Sequence, residues 1–227
     1  MSVKIAPITA KDHSDIKIKP LGDFSGFAER HLSPITIHEF SRAASCFPIV
    51  FIKDSESDQY KVVAMFSVNP KQNVFVKDGK WTATYLPVNL ARGPYFISND
   101  EKPVICIDEN DARVSKEEGA PLFNENGERS EYFDGIIESM QNLINQDGVT
   151  QQFIDKLVEL ELLHASNLTI TRKDGTKHEV SGIHMVDEPK FKELTDEQVL
   201  DLNKSGFLGL IYIHLCSLGQ IQNLLRD

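Results

Sequence analysis

The sequence predicts an α+β protein, with an antiparallel β-meander in the N-terminal half and helices plus a β-hairpin in the C-terminal half. Three observations predict this class. Strand-like segments are concentrated between residues 35 and 110, whereas helical periodicity is concentrated after residue 130. The pair Asp78-Gly79 joins two β-rich segments, and Asp-Gly is a strong hairpin signal. Strands and helices that are segregated along a chain favour α+β over a doubly wound sheet.

Length and composition are typical of a globular protein. The chain has 227 residues, of which 41% are hydrophobic and 26% charged, and its formal net charge is −10. An acidic surface repels phosphate backbones, so we expect no nucleic-acid partner. We expect residues 1–30 to be an extended N-terminal lead-in and residues 31–227 to form a single domain, β-rich over 31–110 and mainly helical over 130–227.

Cysteine usage and hydropathy predict a cytoplasmic location. Cys46, Cys106 and Cys216 are widely spaced and lie in apolar runs, a pattern typical of buried free thiols in a reducing compartment. The N-terminus lacks the apolar core of a signal peptide. The longest apolar run, residues 206–219, is shorter than the roughly 20 residues that a membrane span needs. We therefore expect no membrane partner and a buried terminal helix.

The first half contains several predicted strands. Ile35, Ile37 and Glu39 alternate with polar neighbours, which favours a short strand. Segments 47–54 and 59–68 are apolar enough for buried strands, and Pro48 restricts the first to a sheet edge or to the start of the strand. The segment 73–86 should form a hairpin at Asp78-Gly79, because a type I′ turn needs φ > 0 at both central residues. A further strand is predicted over residues 102–108.

The second half is predicted to contain four helices and one hairpin. Ser130 and Thr150 are suitable N-caps for two separate amphipathic helices. A second Asp-Gly pair, at 174–175, marks the hairpin. Thr195 is in position to begin a third helix as part of a capping box. Gly206 would end that helix. The terminal segment 207–227 is apolar enough to be a core helix.

Motifs for phosphate binding, nucleophilic catalysis and metal hydrolysis are missing from the sequence, which has no Walker A, G-x-G-x-x-G, G-x-S-x-G or H-E-x-x-H pattern. His178 and His184 could face each other across strands, and with His38 and Glu39 they are the candidates for a metal site. We expect scattered histidines instead, and predict no cofactor and no metal. On a helix, residues i and i+2 point apart, so His214 and Cys216 cannot form a dyad, and His214 is interpreted as a core residue.

The segment 73–97 contains the best candidates for a ligand-binding surface. It includes the one tryptophan of the chain, Trp81, with Tyr85, Arg92 and Tyr95. Aromatic rings with polar tips and forked cations are common at recognition surfaces. In a continuous strand, Trp81 and Tyr85 would lie on one face. The alternative is that these side chains pack internally.

An ordered set of segments resembles the SapC family of bacterial proteins. The matching segments include FPIVFIKD, GKWTATYLPVNLARGPYFI, GAPLFNENGERSEY and GIHMVDEPKFKELTDEQVLDLNKSGF, within a span of residues 32 to 222. The family name implies a link with a bacterial surface layer. Because no ordinary export signal is present, surface association would require a signal-less route.

The sequence favours a non-enzymatic binding or accessory protein that recognises a peptide or protein partner. Two alternatives stay open, a metal-dependent enzyme that uses scattered histidines and carboxylates, and a structural protein of a surface layer. The sequence leaves the oligomeric state open.

Overall fold

The computed structural model describes residues 3–55, 57–98, 103–171, 175 and 177–225. Helices and antiparallel strands are both present, which confirms the α+β class. The chain divides into two compact units. The first unit comprises Met1–Gly22 with Val88–Asn145, and the second comprises Asp23–Pro87 with Gln146–Asp227.

The first unit contains two small antiparallel sheets. In one, Ile105–Asp108 lies between Ile5–Pro7 and Tyr95–Ile97, so the strand predicted near residue 105 is confirmed. In the other, Lys17–Ile18 lies between Val114–Ser115 and Ala120–Pro121. Two short helices, Ala10–His13 and Val88–Ala91, belong to the same unit. Its apolar core consists of Ile16, Ile18, Tyr95, Ile107, Leu122, Phe123, Phe133 and Met140.

The second unit is built on a five-stranded antiparallel sheet. Its strands follow the order Leu163–Thr171, Lys177–Val186, Ile49–Lys53, Tyr60–Met65 and Leu32–Pro34. The two strands predicted over 47–54 and 59–68 are thus neighbours near the centre. Pro48 directly precedes its strand, where a missing N–H is tolerated.

The predicted hairpin at Asp78-Gly79 is confirmed. It joins Val76–Lys77 to Lys80–Trp81 as a separate two-stranded ribbon, and φ is 50° at Asp78 and 70° at Gly79. A Cβ on Gly79 would lie 2.7 Å from Oδ1 of Asp23. The positive φ favours glycine here, and a larger side chain would have to displace the Asp23 carboxylate.

Residues 37–39 are helical, and the strand predicted from the alternation of Ile35, Ile37 and Glu39 is wrong. Ile37–Glu39 is a 3₁₀ turn that continues into the helix Phe40–Ala43. The Glu39 carboxylate accepts a hydrogen bond from the Thr36 backbone N–H at 2.9 Å, in a capping box. The capping box stabilises the start of a helix, so it outweighs the short alternation.

The two helices predicted after residue 130 are one helix, Glu131–Glu159. Ser130 is confirmed as its N-cap, since its Oγ accepts from the Phe133 N–H at 3.1 Å. Thr150, the predicted second cap, lies inside the helix. Its hydroxyl donates to the Gln146 carbonyl at 2.7 Å and accepts from the Ile37 N–H at 3.0 Å. The Thr150 hydroxyl therefore does not cap a helix and instead accepts a hydrogen bond from a distant segment of the chain.

The predicted second hairpin and the predicted helix after Thr195 agree with the structure wherever it describes the residues. The hairpin strands are Leu163–Thr171 and Lys177–Val186, whereas Asp174 of the predicted turn lies outside the described residues. Thr195 forms the predicted capping box at the start of Asp196–Lys204. Gly206, at φ 77°, ends that helix, and Glu188–Lys192 is a further short helix.

The terminal helix Phe207–Ser217 continues as 3₁₀ turns over Leu218–Leu225. By length and composition alone, the stretch Phe207–Leu225 could cross a membrane. In this structure its buried face, which includes His214 and Ser217, is hydrogen-bonded to sheet strands. Tyr212 is 54% exposed, so only one face of the predicted core helix is buried.

Candidate functional site

A cleft of about 420 Å³ in the second unit is the candidate site, and we call it the Cys46 cleft. Its lining is rich in hydroxyl groups and also contains a thiol, an amide and one charged side chain. The lining residues are Ser45, Cys46, Val74, Phe75, Lys77, Thr82, Ala83, Thr84 and Asn223. Ligand pockets commonly have volumes of roughly 300–1,000 Å³, so this cleft is large enough for a short peptide segment.

Local backbone bonds place the two main walls of the cleft. Cys46 follows the helix Phe40–Ala43, and its N–H donates to the Ala43 carbonyl at 2.9 Å. The second wall is the segment that follows the hairpin after Trp81, and the Thr82 N–H donates to the Phe75 carbonyl at 2.9 Å. The sequence between Trp81 and Tyr85 therefore lines the cleft with small residues.

Two of the three hydroxyl groups that line the cleft donate hydrogen bonds to backbone carbonyls. Ser45 Oγ donates to the Arg42 carbonyl at 2.7 Å, and Thr82 Oγ1 donates to the Phe75 carbonyl at 3.1 Å. A hydroxyl has one proton and two lone pairs. These exposed side chains can therefore act as hydrogen-bond acceptors for a molecule in the cleft.

The Cys46 thiol lies at the wall of the cleft, and the residue is 8% exposed. Its Sγ is 3.1 Å from Oγ1 of Thr84 and 3.5 Å from Oγ of Ser45. Burial acts to raise the pKa of the Cys46 thiol, but its hydrogen-bonding contacts with the side chains of Ser45 and Thr84 and with the backbone of Thr84 and Tyr85 lower it below its ordinary value. Cys46 is thus more acidic than an ordinary buried thiol.

Trp81 supports the cleft wall from within an aromatic cluster. Its ring centroid is 5.5 to 6.1 Å from those of four phenylalanines, Phe24, Phe47, Phe66 and Phe75. Its Nε1–H donates to the Tyr85 carbonyl at 2.9 Å. The predicted continuous strand from Trp81 to Tyr85 is wrong, because strand pairing ends at Trp81. The indole bond nevertheless keeps the two residues together.

Tyr85 connects this wall to a buried carboxylate. Its hydroxyl donates to Oε1 of Glu39 at 2.7 Å, and Glu39 is 1% exposed. The guanidinium carbon of Arg42 lies 5.0 Å from the centre of the Tyr85 ring. Burial, followed by the Glu39 hydrogen bond, raises the pKa of Tyr85. The phenol therefore stays protonated and acts as a fixed donor.

The four predicted ligand-binding residues fall into two pairs. Trp81 and Tyr85 adjoin the Cys46 cleft in the second unit, whereas Arg92 and Tyr95 belong to the first. The Arg92 guanidinium carbon lies 5.6 Å from the centre of the Phe96 ring. Tyr95 is 2% exposed, its hydroxyl donates to that of Tyr132 at 3.1 Å, and burial raises its pKa.

The sequence prediction missed most of the residues that line the cleft. Ser45, Cys46 and Asn223 are far from the hairpin along the chain and carry no motif. One local signal was present, since Thr82 and Thr84 flank Ala83 between the two aromatic residues. Both threonines line the cleft.

The two histidines considered for a cross-strand metal site do not face each other. His178 and His184 lie on one strand, opposite Ile170 and Ala165 respectively, and so do not face each other across strands. The His184 ring packs edge-on to that of Tyr60, with centroids 4.9 Å apart, and burial followed by nearby Lys53 lowers its pKa. Within the described ranges, no group of three or more His, Cys, Asp or Glu side chains could hold a metal ion.

His214 is a core residue, as predicted. Its Nε2 accepts from the Val186 N–H at 3.1 Å, and burial lowers its pKa to about 4. Cys216, two residues later, is exposed, which corrects the expectation that all three cysteines are buried. Cys46 and Cys106 are buried.

Comparison with protein families gives one match over most of the chain. The SapC family model matches residues 8–224. Comparison with curated proteins and with solved structures finds no match. The family match covers the Cys46 cleft, the five-stranded sheet and the core of the first unit. The chain therefore belongs to the SapC family.

Proposed function

We propose that this SapC-family protein is a non-enzymatic binding protein that holds a segment of a peptide or protein partner in the Cys46 cleft. The observation that carries the proposal is the set of hydroxyl groups in the cleft. Ser45 and Thr82 donate their hydroxyl protons to backbone carbonyls, at 2.7 and 3.1 Å, so a complementary ligand must supply hydrogen-bond donors, such as N–H groups.

An extended peptide supplies such N–H groups at regular intervals along its backbone. Its carbonyl groups accept hydrogen bonds in return, and the lining includes the Lys77 ammonium and the Asn223 amide, whose Nδ2 also donates to Oε1 of Gln220. The cleft also has apolar surface from Val74, Phe75 and Ala83. Apolar surface with a few placed polar groups is typical of a recognition site.

The wall beside the cleft is rigid enough to hold a ligand in one geometry. Trp81 is packed against four aromatic rings and bonded to the Tyr85 backbone, and Tyr85 is bonded to Glu39. A wall that is ordered before binding loses less conformational entropy when a ligand binds. The aromatic residues predicted as ligand contacts would then act by positioning the segment 82–84.

The test uses peptides selected from a random library on the immobilised protein. The affinity of a selected peptide is then measured for the wild type, Ser45→Arg and Ser55→Arg. Both serines are exposed in the second unit, but only Ser45 lines the cleft. Arginine at residue 45 should occupy the cleft, whereas Ser55→Arg is a matched control for the added charge.

We expect Ser45→Arg to weaken peptide binding by at least about tenfold, a change of roughly 1.4 kcal/mol, while Ser55→Arg binds like the wild type. The intrinsic fluorescence of Trp81, the one tryptophan of the chain, should report the same titration. Failure to select any binding peptide would contradict the proposal. Equal affinity for Ser45→Arg and wild type would also contradict it.

A further inference from the structure

The two edges of the five-stranded sheet differ in how they are protected from pairing with another strand. One edge, Leu32–Pro34, has only three residues and includes a proline. The other edge, Leu163–Thr171, has nine residues. It contains no Asp, Glu, Lys, Arg or Pro. Natural proteins protect edge strands with short length, charges, proline or β-bulges. The longer edge is long, uncharged and free of proline, and the break in its pairing register lies between Ser166 and Leu168, before residues 168–171.

The outer side of Leu163–Thr171 is available for pairing. In the described part of the chain, this strand pairs with Lys177–Val186 alone. Its residues Ala165, Asn167 and Thr169 are exposed. An edge strand presents a row of backbone N–H and C=O groups that match those of an added strand.

Among the residues that the structure describes, the distal part of this hairpin also has no third strand on its other side. Pairing between Lys177–Val186 and Ile49–Lys53 is confined to Ile183 and His184. Residues 168–171 and 177–180 thus form a two-stranded arm beyond that pairing. A two-stranded ribbon is at best marginally stable in water, and a third strand stabilises it.

We propose that this arm pairs with the same arm of a second copy, so that the protein is a two-fold symmetric dimer joined edge to edge. The strand Leu163–Thr171 can pair with a second copy of itself because it contains no Asp, Glu, Lys or Arg. Antiparallel self-pairing therefore puts no like charges of these residues opposite each other. The Cys46 cleft takes no part in this contact.

The side-chain pattern selects one register. Leu168 and Ile170 are half-buried, whereas Asn167, Thr169 and Thr171 are exposed. A two-fold axis at Thr169 sets Leu168 opposite Ile170 of the second copy. It also sets Thr169 opposite itself and Thr171 opposite Asn167. Apolar side chains then continue across the contact on one face, and Thr–Thr pairs are favourable between antiparallel strands.

Sedimentation equilibrium on the full chain tests the dimer, with Thr169→Lys and Thr171→Lys as a matched pair. Both threonines are exposed, and circular dichroism checks that both variants fold. Only Thr169→Lys places two ammonium groups opposite each other across the axis. We expect dimeric wild type and Thr171→Lys, and a dissociation constant raised at least about tenfold in Thr169→Lys.

A cysteine pair tests the register independently in a Cys216→Ser background, which removes the exposed native thiol. Mild oxidation should cross-link Thr169→Cys, because opposite Cβ atoms lie about 4.5–5.5 Å apart. Thr171→Cys should stay uncross-linked, since its two copies would be roughly 13 Å apart along the strands. A monomeric wild type at every soluble concentration, a dimeric Thr169→Lys, or cross-linking of Thr171→Cys alone would overturn the proposal.

Discussion

The Tyr85 hydroxyl donates a 2.7 Å hydrogen bond to Oε1 of Glu39, whose other carboxylate oxygen caps the 3₁₀ turn at Thr36. One buried carboxylate thus connects the wall of the Cys46 cleft to the start of the helix that leads to Cys46. This relationship joins two segments that are 46 residues apart in the chain.

Tyr85→Phe should destabilise the protein by about 1.5–3 kcal/mol, because it removes a hydrogen bond to a buried carboxylate and keeps the ring beside Arg42. Urea unfolding of the variant and the wild type measures the difference. Tyr60→Phe provides a comparison at another half-buried tyrosine. Equal stability of Tyr85→Phe and wild type would show that the Glu39 bond contributes little.

Trp81→Ala should lower the free energy of unfolding by about 3 kcal/mol, the lower end for removal of a large aromatic side chain. The cause is loss of contacts with the four phenylalanine rings and of the bond to the Tyr85 carbonyl. Trp81→Phe should recover most of the packing but not the hydrogen bond. If Trp81→Ala were as stable as wild type, the indole would not support the wall.

The free energy of unfolding should decrease as the pH is lowered, because His214 is buried in its neutral form. Its pKa is about 4 in the folded protein against 6.5 as the ordinary value, so below pH 6.5 the unfolded chain binds a proton that the folded chain does not. The stability contributed above pH 6.5, about 3 kcal/mol, is lost as pH falls towards 4. Urea unfolding at pH 7, 5.5 and 4.5 measures this loss.

His214→Gln provides the control for that pH dependence, since its amide oxygen can still accept from the Val186 N–H. The loss of stability between pH 7 and 4.5 should be smaller in His214→Gln than in wild type. An identical profile for His214→Gln and wild type would rule out His214 as the cause.

The three cysteines should react with a thiol reagent in a defined order in the folded protein. Cys216 is exposed and should react first. Cys46 should follow, because its thiol lines the cleft and its pKa is lowered. Cys106, buried in the middle strand Ile105–Asp108, should react last. Mass spectrometry of alkylated peptides over time gives the order, and Cys106 ahead of Cys46 would contradict it.

Features set by neighbouring residues could be predicted from the sequence. The turn at Asp78-Gly79, the Ser130 cap and the Thr195 capping box each depend on a few adjacent residues, and all three are present. One error was local, since the Thr36–Glu39 capping box starts a helical turn where a strand was predicted. The error at Thr150 arose where distant segments meet. Thr150 resembles a helix cap, but inside the long helix it accepts from the N–H of Ile37, which is 113 residues away.

The candidate site could be predicted only in part, for the same reason. Trp81 and Tyr85 were predicted as ligand contacts, and the residues between them, 82–84, line the cleft. Cys46 and Asn223 come to it through tertiary packing, and no local pattern marks them. Tyr95 resembled a surface aromatic residue in sequence but is buried in the core of the first unit.

Cysteine footprinting with and without a selected peptide is the most direct test of the Cys46 cleft as a binding site. Each sample contains its own control, because Cys46 lines the cleft and exposed Cys216 does not. If the cleft binds the peptide, saturating peptide will slow alkylation of Cys46 severalfold and leave Cys216 unchanged. Unchanged alkylation of Cys46 at saturation would place the bound peptide elsewhere and contradict the proposed function.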